Sequence, residues 1–224
     1  MPQPDHISAF GVPDAATLDD DLKTIWAKCV EKLGFVPNVY QTYSLKPQRL
    51  RHFMAMYNDI MLAPSGLSKL EREMVAVVVS SANRCYYCLV AHGAAVRQLS
   101  GDPELGEMMA LNYRVAKLDA RQRAMLDFAW KMTTTPWLID DADRGGLRML
   151  GLSEQDLFDL GETVAFFNLS NRMASASDMM PNREYHQAAR GAVTAEPPAP
   201  PALAPTPVSP SVAKQVPAKP GVKR

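Results

Sequence analysis

Across residues 1–194 the apolar side chains recur every three or four positions, and no stretch sustains the apolar/polar alternation of a half-buried strand. That pattern restricts the chain to helices. Leu22, Ile25, Trp26, Cys29, Val30 and Leu33 form one such stripe, within a predicted helix over 18–33, and Gly34 follows as a stop. The same spacing predicts helices over 47–62, 68–83, 85–100, 103–113, 119–133, 140–150 and 153–178. Breaks fall at Pro37, Pro47, Pro64-Ser65-Gly66, Gly101-Asp102-Pro103, Pro136 and Gly151, where a ring without an N–H or a freely turning backbone interrupts the ladder. The expected class is all-α.

Composition sets the outer limits. The stretch Ala195–Arg224 holds nine of the 18 prolines and no aromatic residue, so 195–224 is expected to be a disordered Pro/Ala-rich tail behind a single 1–194 domain. The tail carries four bases against one acid, a net +3, which leaves 1–194 at −3. Over all 224 residues 24 basic side chains offset 24 acidic ones. With no basic excess, neither nucleic acid nor an anionic membrane is an expected partner. The longest apolar run, Met74 to Val79, ends at Ser80, far short of the roughly 20 residues a membrane span needs. The start, Met1-Pro2-Gln3-Pro4-Asp5-His6, lacks the basic and apolar regions of a signal peptide, so a cytoplasmic location is expected. Three cysteines in that reducing compartment are no disulfide framework. Cys29, on the first apolar stripe, reads as a small buried hydrophobe.

Two glutamates in the 68–83 helix have different fates. Ser68 and Glu71 have the spacing of a capping box, which accounts for Glu71. Glu73 lies three residues after Leu70 and four before Val77, on or beside the apolar face, where a carboxylate needs a partner or a raised pKa. The next helix carries Cys85, Cys88 and His92. Asn83 reads as its N-cap, which would put Cys85 in the first turn, where unpaired N–H groups favour a thiolate. Cys88 at i+3 and His92 four further on share one helix face. Thiols one turn apart can close and open a disulfide with little rearrangement at a helix start, and His92 could take or return a proton.

Several chemistries compete for this cluster. Haem attachment requires His directly after the second Cys, where Leu89 stands. Structural zinc could use Cys85, Cys88 and His92 with His6, His52 or His186 as a fourth ligand, but no second ligand pair follows at finger spacing. A thioredoxin-type site needs a βαβ frame that the helical pattern does not provide. Two inert buried cysteines would leave Glu73 and His92 unexplained. Tyr86, Tyr87 and the methionines Met54, Met56, Met61, Met108 and Met109 read as core or as the border of a substrate channel.

The glutamate twelve residues before a Cys-x-x-Cys, with a His after three more residues, resembles the motif of the alkylhydroperoxidase D-like group of the carboxymuconolactone decarboxylase superfamily, in its peroxidase-related branch. The likeness extends through Leu33-Gly34-Phe35-Val36-Pro37-Asn38 to Phe167-Asn168-x-x-Asn171-Arg172 and covers roughly 30–190. It implies a multi-helix bundle of the alkylhydroperoxidase D-like type, assembled as a trimer or hexamer, that reduces hydrogen peroxide or organic hydroperoxides without a cofactor or metal. It also implies roles. Cys88 would be the peroxidatic nucleophile, activated by a relay from Glu73 through His92. Cys85 would resolve the sulfenic acid into a disulfide, which an external dithiol, such as a lipoylated or thioredoxin-like protein, would reduce. The dipole argument instead favours Cys85 as the more acidic thiol. Some relatives carry a further His where this chain has Tyr87, which removes that proton-transfer group. Within the same superfamily a lactone decarboxylase would not depend on the Cys pair, and a redox sensor or zinc-stabilised scaffold would use it without turnover.

Overall fold

The structure, a computed structural model, describes residues 3–191; the expected domain boundary at 194 and the tail 195–224 lie outside the described residues. Ten α-helices make up the described part: α1 (Asp20–Leu33), α2 (Asn38–Tyr43), α3 (Pro47–Leu62), α4 (Lys69–Ala82), α5 (Tyr86–Ser100), α6 (Pro103–Asn112), α7 (Ala120–Thr134), α8 (Asp141–Met149), α9 (Glu154–Ala176) and α10 (Glu184–Gln187). Among the described residues there is no strand, and no helix is long and apolar enough to cross a membrane.

The bundle is organised around α4. Every residue from Glu71 to Ser80 is buried, and α4 touches α3, α5, α6, α7 and α9. The apolar pattern predicts an amphipathic α4 with Glu73 on or beside its apolar face. The structure corrects this: a helix enclosed on all sides has no margin, so every polar group on it needs a partner. Met74 to Val79 pack with Met109, Tyr113, Leu126, Leu160, Val164 and Phe167 in the main core. The Ser68/Glu71 capping box forms as expected, with Glu71 N donating to Ser68 Oγ at 3.2 Å and Ser68 N to Glu71 Oε2 at 2.7 Å. Glu71 also pairs with Arg121 of α7.

The eight helices read from periodicity are present, with ends shifted by at most two residues. The short α2 and α10 were not anticipated, since six and four residues are too few to show a period. The α1 stripe packs less than its pattern suggests. Leu22 is its one fully buried member, Val30 and Leu33 are half exposed, and Cys29 is only partly buried. Arg51 of α3 ties the start of α1 down through Asp21 at 2.7 Å and Asp19.

Arg72 closes the far end of α3. It is buried, and its Nη1 donates to Ile60 O and Ala63 O, both at 2.9 Å, so a cation sits at the negative end of a helix on carbonyls that have no helical partner. Arg72→Met should therefore cost about 2–4 kcal/mol, the range for stranding buried acceptors and losing a charge-assisted bond. Urea unfolding measures it, and a loss below about 1 kcal/mol would show that another donor supplies those carbonyls.

Candidate functional site

The corner between α4 and α5 sets the thiols. Cys85 N donates to Ser80 O at 2.9 Å and Arg84 N to Ser81 O at 3.1 Å, the paired bonds that close a helix through a left-handed residue. That residue is Arg84, with φ +54°, a conformation that a side chain resists and that is usually left to glycine. The turn corrects the expected cap. Asn83 ends α4 rather than starting α5, and its Nδ2 reaches across to Asn168 Oδ1 and Asn171 Oδ1 of α9 at 3.1 and 3.0 Å. Cys85 itself is the N-cap of α5 and Cys88 its third residue, so the thiols still lie one turn apart at a helix start.

Both thiols are buried, 3% and 1% exposed, against Tyr87, Ala174 and Met179. Neither is in a disulfide. Contact with the Cys88 thiol lowers the Cys85 pKa most, assisted by the Cys88 N–H, His92 and Asn171. Cys88 is raised well above the usual thiol value by the same contact and by burial, with Asn171 and Ser170 acting in the other direction. Together the two hold one proton readily and yield the first from the Cys85 side, as the position at the helix start suggests.

Glu73 and His92 meet across α4 and α5, His92 Nδ1 lying 2.7 Å from Glu73 Oε2, with both side chains largely buried. The imidazole stands edge-on to Phe167, ring centres 4.6 Å apart. Glu73, His92, Tyr87 and Ser170 line a cavity of about 620 Å³. Cys29 and Met54 line it too. The expectation of a fully packed Cys29 is thus corrected, and burial raises its pKa against the smaller opposing effect of the Lys32 charge.

Tyr87 is accounted for by packing. Its hydroxyl accepts a hydrogen bond from Val39 N at 3.2 Å, which ties α5 to α2, and burial holds its pKa well above the usual value. Sequence reasoning gave no role to Ser170 or Asn171, although Asn171 stands in the stretch that carries the resemblance. Asn171 Nδ2 donates to Ser80 Oγ at 3.0 Å, so one amide links α9, α4 and the thiols. Among the described residues no three His, Cys, Asp or Glu side chains converge as metal ligands. His6 lies against Asp178, His52 against Gln48, and His186 against Gln3 and Tyr86, none of them joined to the Cys pair.

Residues 47–112, from the start of α3 to the end of α6, match the family model described as the carboxymuconolactone decarboxylase family, and this span contains Glu73, Cys85, Cys88 and His92. Among solved structures, an uncharacterized peroxidase-related protein from Silicibacter sp. TM1040 is 57% identical over 85% of this chain and 100% of that one, with a TM-score of 0.81. A second, from Ralstonia eutropha JMP134 and described as an alkylhydroperoxidase AhpD core, is 41% identical over 84% of this chain and 99% of that one, also with a TM-score of 0.81. The debrominase Bmp8 shares the fold alone, at 18% identity over 83% of this chain and 97% of that one, with a TM-score of 0.67. No curated protein matches the chain. Fold and neighbours place it among all-α, peroxidase-related proteins with the alkylhydroperoxidase D core. The chain belongs to the carboxymuconolactone decarboxylase family.

The two glutamates separate site from scaffold. Glu73→Gln keeps the volume and removes the charge facing His92, so thiol alkylation at Cys85 and Cys88 should slow by about 10²–10⁴-fold, the scale of lost acid–base help. Glu71→Gln should leave that rate within about twofold while costing roughly 1–3 kcal/mol of stability through the Arg121 pair. Stopped-flow alkylation and urea unfolding of both variants measure this; equal alkylation rates would return Glu73 to a purely structural role.

Proposed function

We propose that the protein is a thiol-dependent peroxidase that reduces hydrogen peroxide or organic hydroperoxides through Cys85 and Cys88. The observation that carries the reading is the pairing of two adjacent free thiols at the start of α5 with a buried Glu73–His92 contact on the same helix pair. Two inert core cysteines would not call for an imidazole held by a carboxylate beside them.

The chemistry runs in three balanced steps. The resting pair gives up one proton and shares the other. When the shared proton rests on Cys85, Cys88 is the thiolate and is stabilised by Ser170 and Asn171. Cys88 attacks the terminal peroxide oxygen, the O–O bond breaks, and the leaving alkoxide or hydroxide takes up the proton that the pair first gave up, giving alcohol or water and a Cys88 sulfenic acid. Cys85 passes its proton toward His92, which Glu73 holds in orientation, and its sulfur displaces hydroxide from Cys88. Water leaves and the Cys85–Cys88 disulfide forms. An external dithiol then exchanges with that disulfide, supplying two electrons and two protons and leaving as its own disulfide.

A lactone decarboxylase reading, which the family description would permit, gives the two thiols nothing to do. The reading also includes self-assembly and a reducing, cytoplasmic setting. Leu111, Val115, Trp137, Met149 and Phe158 are each at least 65% exposed, apolar side chains that self-assembly would cover, and light scattering should return a multiple of the 24.7 kDa chain mass.

Cys88→Ser should abolish peroxide consumption. Cys85→Ser should still consume about one equivalent, with a sulfenic acid trapped on Cys88, and then fail to recycle with dithiol. Steady-state turnover with dithiothreitol and dimedone labelling read both. Sulfenic acid on Cys85 in the Cys88→Ser protein would reverse the roles, and full turnover by the double variant would end the proposal.

A further inference from the structure

A second hollow, of about 500 Å³, is bounded in part by Met179, which packs on the thiols. Its walls include Phe10, Met56, Leu169, Met173 and Met179. The first four are 40% to 55% exposed. Scattered exposed apolar residues are ordinary, but a contiguous apolar hollow of this size is in the range of small-molecule sites. Met179 belongs to both sides of the wall, because it also packs on Cys85 and Cys88.

The polar lining comprises Thr42, Ser177, Tyr43 and three basic side chains. The basic ones are Lys46, Arg49 and His52, three residues apart along the first turns of α3, all exposed, and no acidic residue lines the hollow. The start of α3 adds its own positive dipole end to this cluster. The Tyr43 ring lies 4.4 Å from Phe53, and its hydroxyl is buried with no hydrogen-bond partner among the described residues. A buried phenol left unpaired is a donor waiting for an acceptor. Burial, and the nearby Cys88, push its pKa up to about 12, so it stays protonated and able to donate.

We propose that this hollow binds the apolar chain of a long-chain carboxylic acid hydroperoxide, with the carboxylate at Lys46 and Arg49 and the peroxide group at the Tyr43 hydroxyl beside Cys88. The inference rests on the peroxidase reading and names its substrate class. Hydrogen peroxide has nothing to fill an apolar hollow, whereas each methylene buried there adds roughly fourfold to affinity. Exposed cations, an apolar lining and a buried hydroxyl donor match an anionic head, a chain and a peroxide oxygen. In the reaction, Cys88 takes the terminal oxygen, and the inner oxygen leaves as alkoxide. The Tyr43 O–H donates a hydrogen bond to that oxygen as the O–O bond breaks, and the proton that the thiol pair first gave up completes the alcohol.

The test uses the full chain. Calorimetry with oleate, below its micellar concentration, serves as the redox-inert probe. Oleate should bind once per chain, octanoate should bind more weakly, and Arg49→Glu should weaken oleate by about fivefold or more, the scale of an exposed ion pair lost. Kinetics then compare linoleic acid hydroperoxide with its methyl ester. The Arg49→Glu loss in kcat/KM should be larger for the acid than for the ester. Tyr43→Phe removes an atom with no partner and keeps the ring stack, so oleate binding should hold while kcat for the long-chain hydroperoxide falls about tenfold. Failure of oleate to bind a protein that does reduce hydrogen peroxide overturns the inference and spares the peroxidase reading. A hollow that admits oleate only when light scattering shows the assembly falling apart is an interface between copies, which also overturns it. Oleate bound as described, with no peroxide reduced, keeps the site for a long-chain acid and removes the peroxidase reading.

Discussion

A carboxylate cannot lie within a helix buried on every side unless something answers its charge, and the Glu73–His92 contact is that answer. Removing one partner of such a buried pair strands the other, at a cost of about 3–5 kcal/mol, which is why both α4 and α5 must meet in one register. The contact does more than hold the helices together. By fixing the imidazole through Nδ1, against the edge of Phe167, it leaves the rest of the ring directed by α5 and not by solvent. Whatever the thiols do, they do it near an imidazole whose orientation the core has already set.

The thiols depend in turn on a three-residue corner, Asn83 to Cys85. Because Arg84 accepts a left-handed conformation, α5 begins immediately after α4, and Cys85 becomes its N-cap. A slower turn would move Cys85 away from the α5 start and from Asn171. Strain of this kind is tolerated where surrounding bonds fix it, here the Cys85 and Arg84 amides on α4 carbonyls and Asn83 on α9. The result is a pair with unequal protons: the sulfur at the helix start is the more acidic, and the one a turn inside is better supplied with neutral donors. That inequality keeps the shared proton mainly on Cys88 at rest, so the proposed attack by Cys88 draws on the form in which that proton has crossed to Cys85.

Much of this was legible in the sequence. Periodicity located eight helices to within two residues of their ends because Pro and Gly punctuate a long apolar repeat, and Ser68 with Glu71 marked the start of α4. The spacing of Glu73, Cys85, Cys88 and His92 identified the residues now found together. What was not legible has physical reasons. The α1 stripe looked like core, yet Val30 and Leu33 remain half exposed, since a pattern states which face is apolar and not what covers it. Asn83 looked like an N-cap because Asn suits both ends of a helix, and only the Arg84 turn decides between them. Ser170, Asn171 and Tyr43 come from segments 80 or more residues away from Cys88, or from a helix too short to predict; contacts of that kind leave no local pattern.

The account as a whole stands on one redox event. The reduced full-length protein should be treated with one equivalent of hydrogen peroxide per chain, quenched with an alkylating agent and mapped by peptide mass spectrometry. The account predicts a Cys85–Cys88 disulfide within the chain, reversed by dithiol, with Cys29 recovered as an alkylated thiol even though it lines the neighbouring cavity. Oxidation of Cys29 ahead of the pair, or consumption of peroxide with no Cys85–Cys88 bridge, would contradict it.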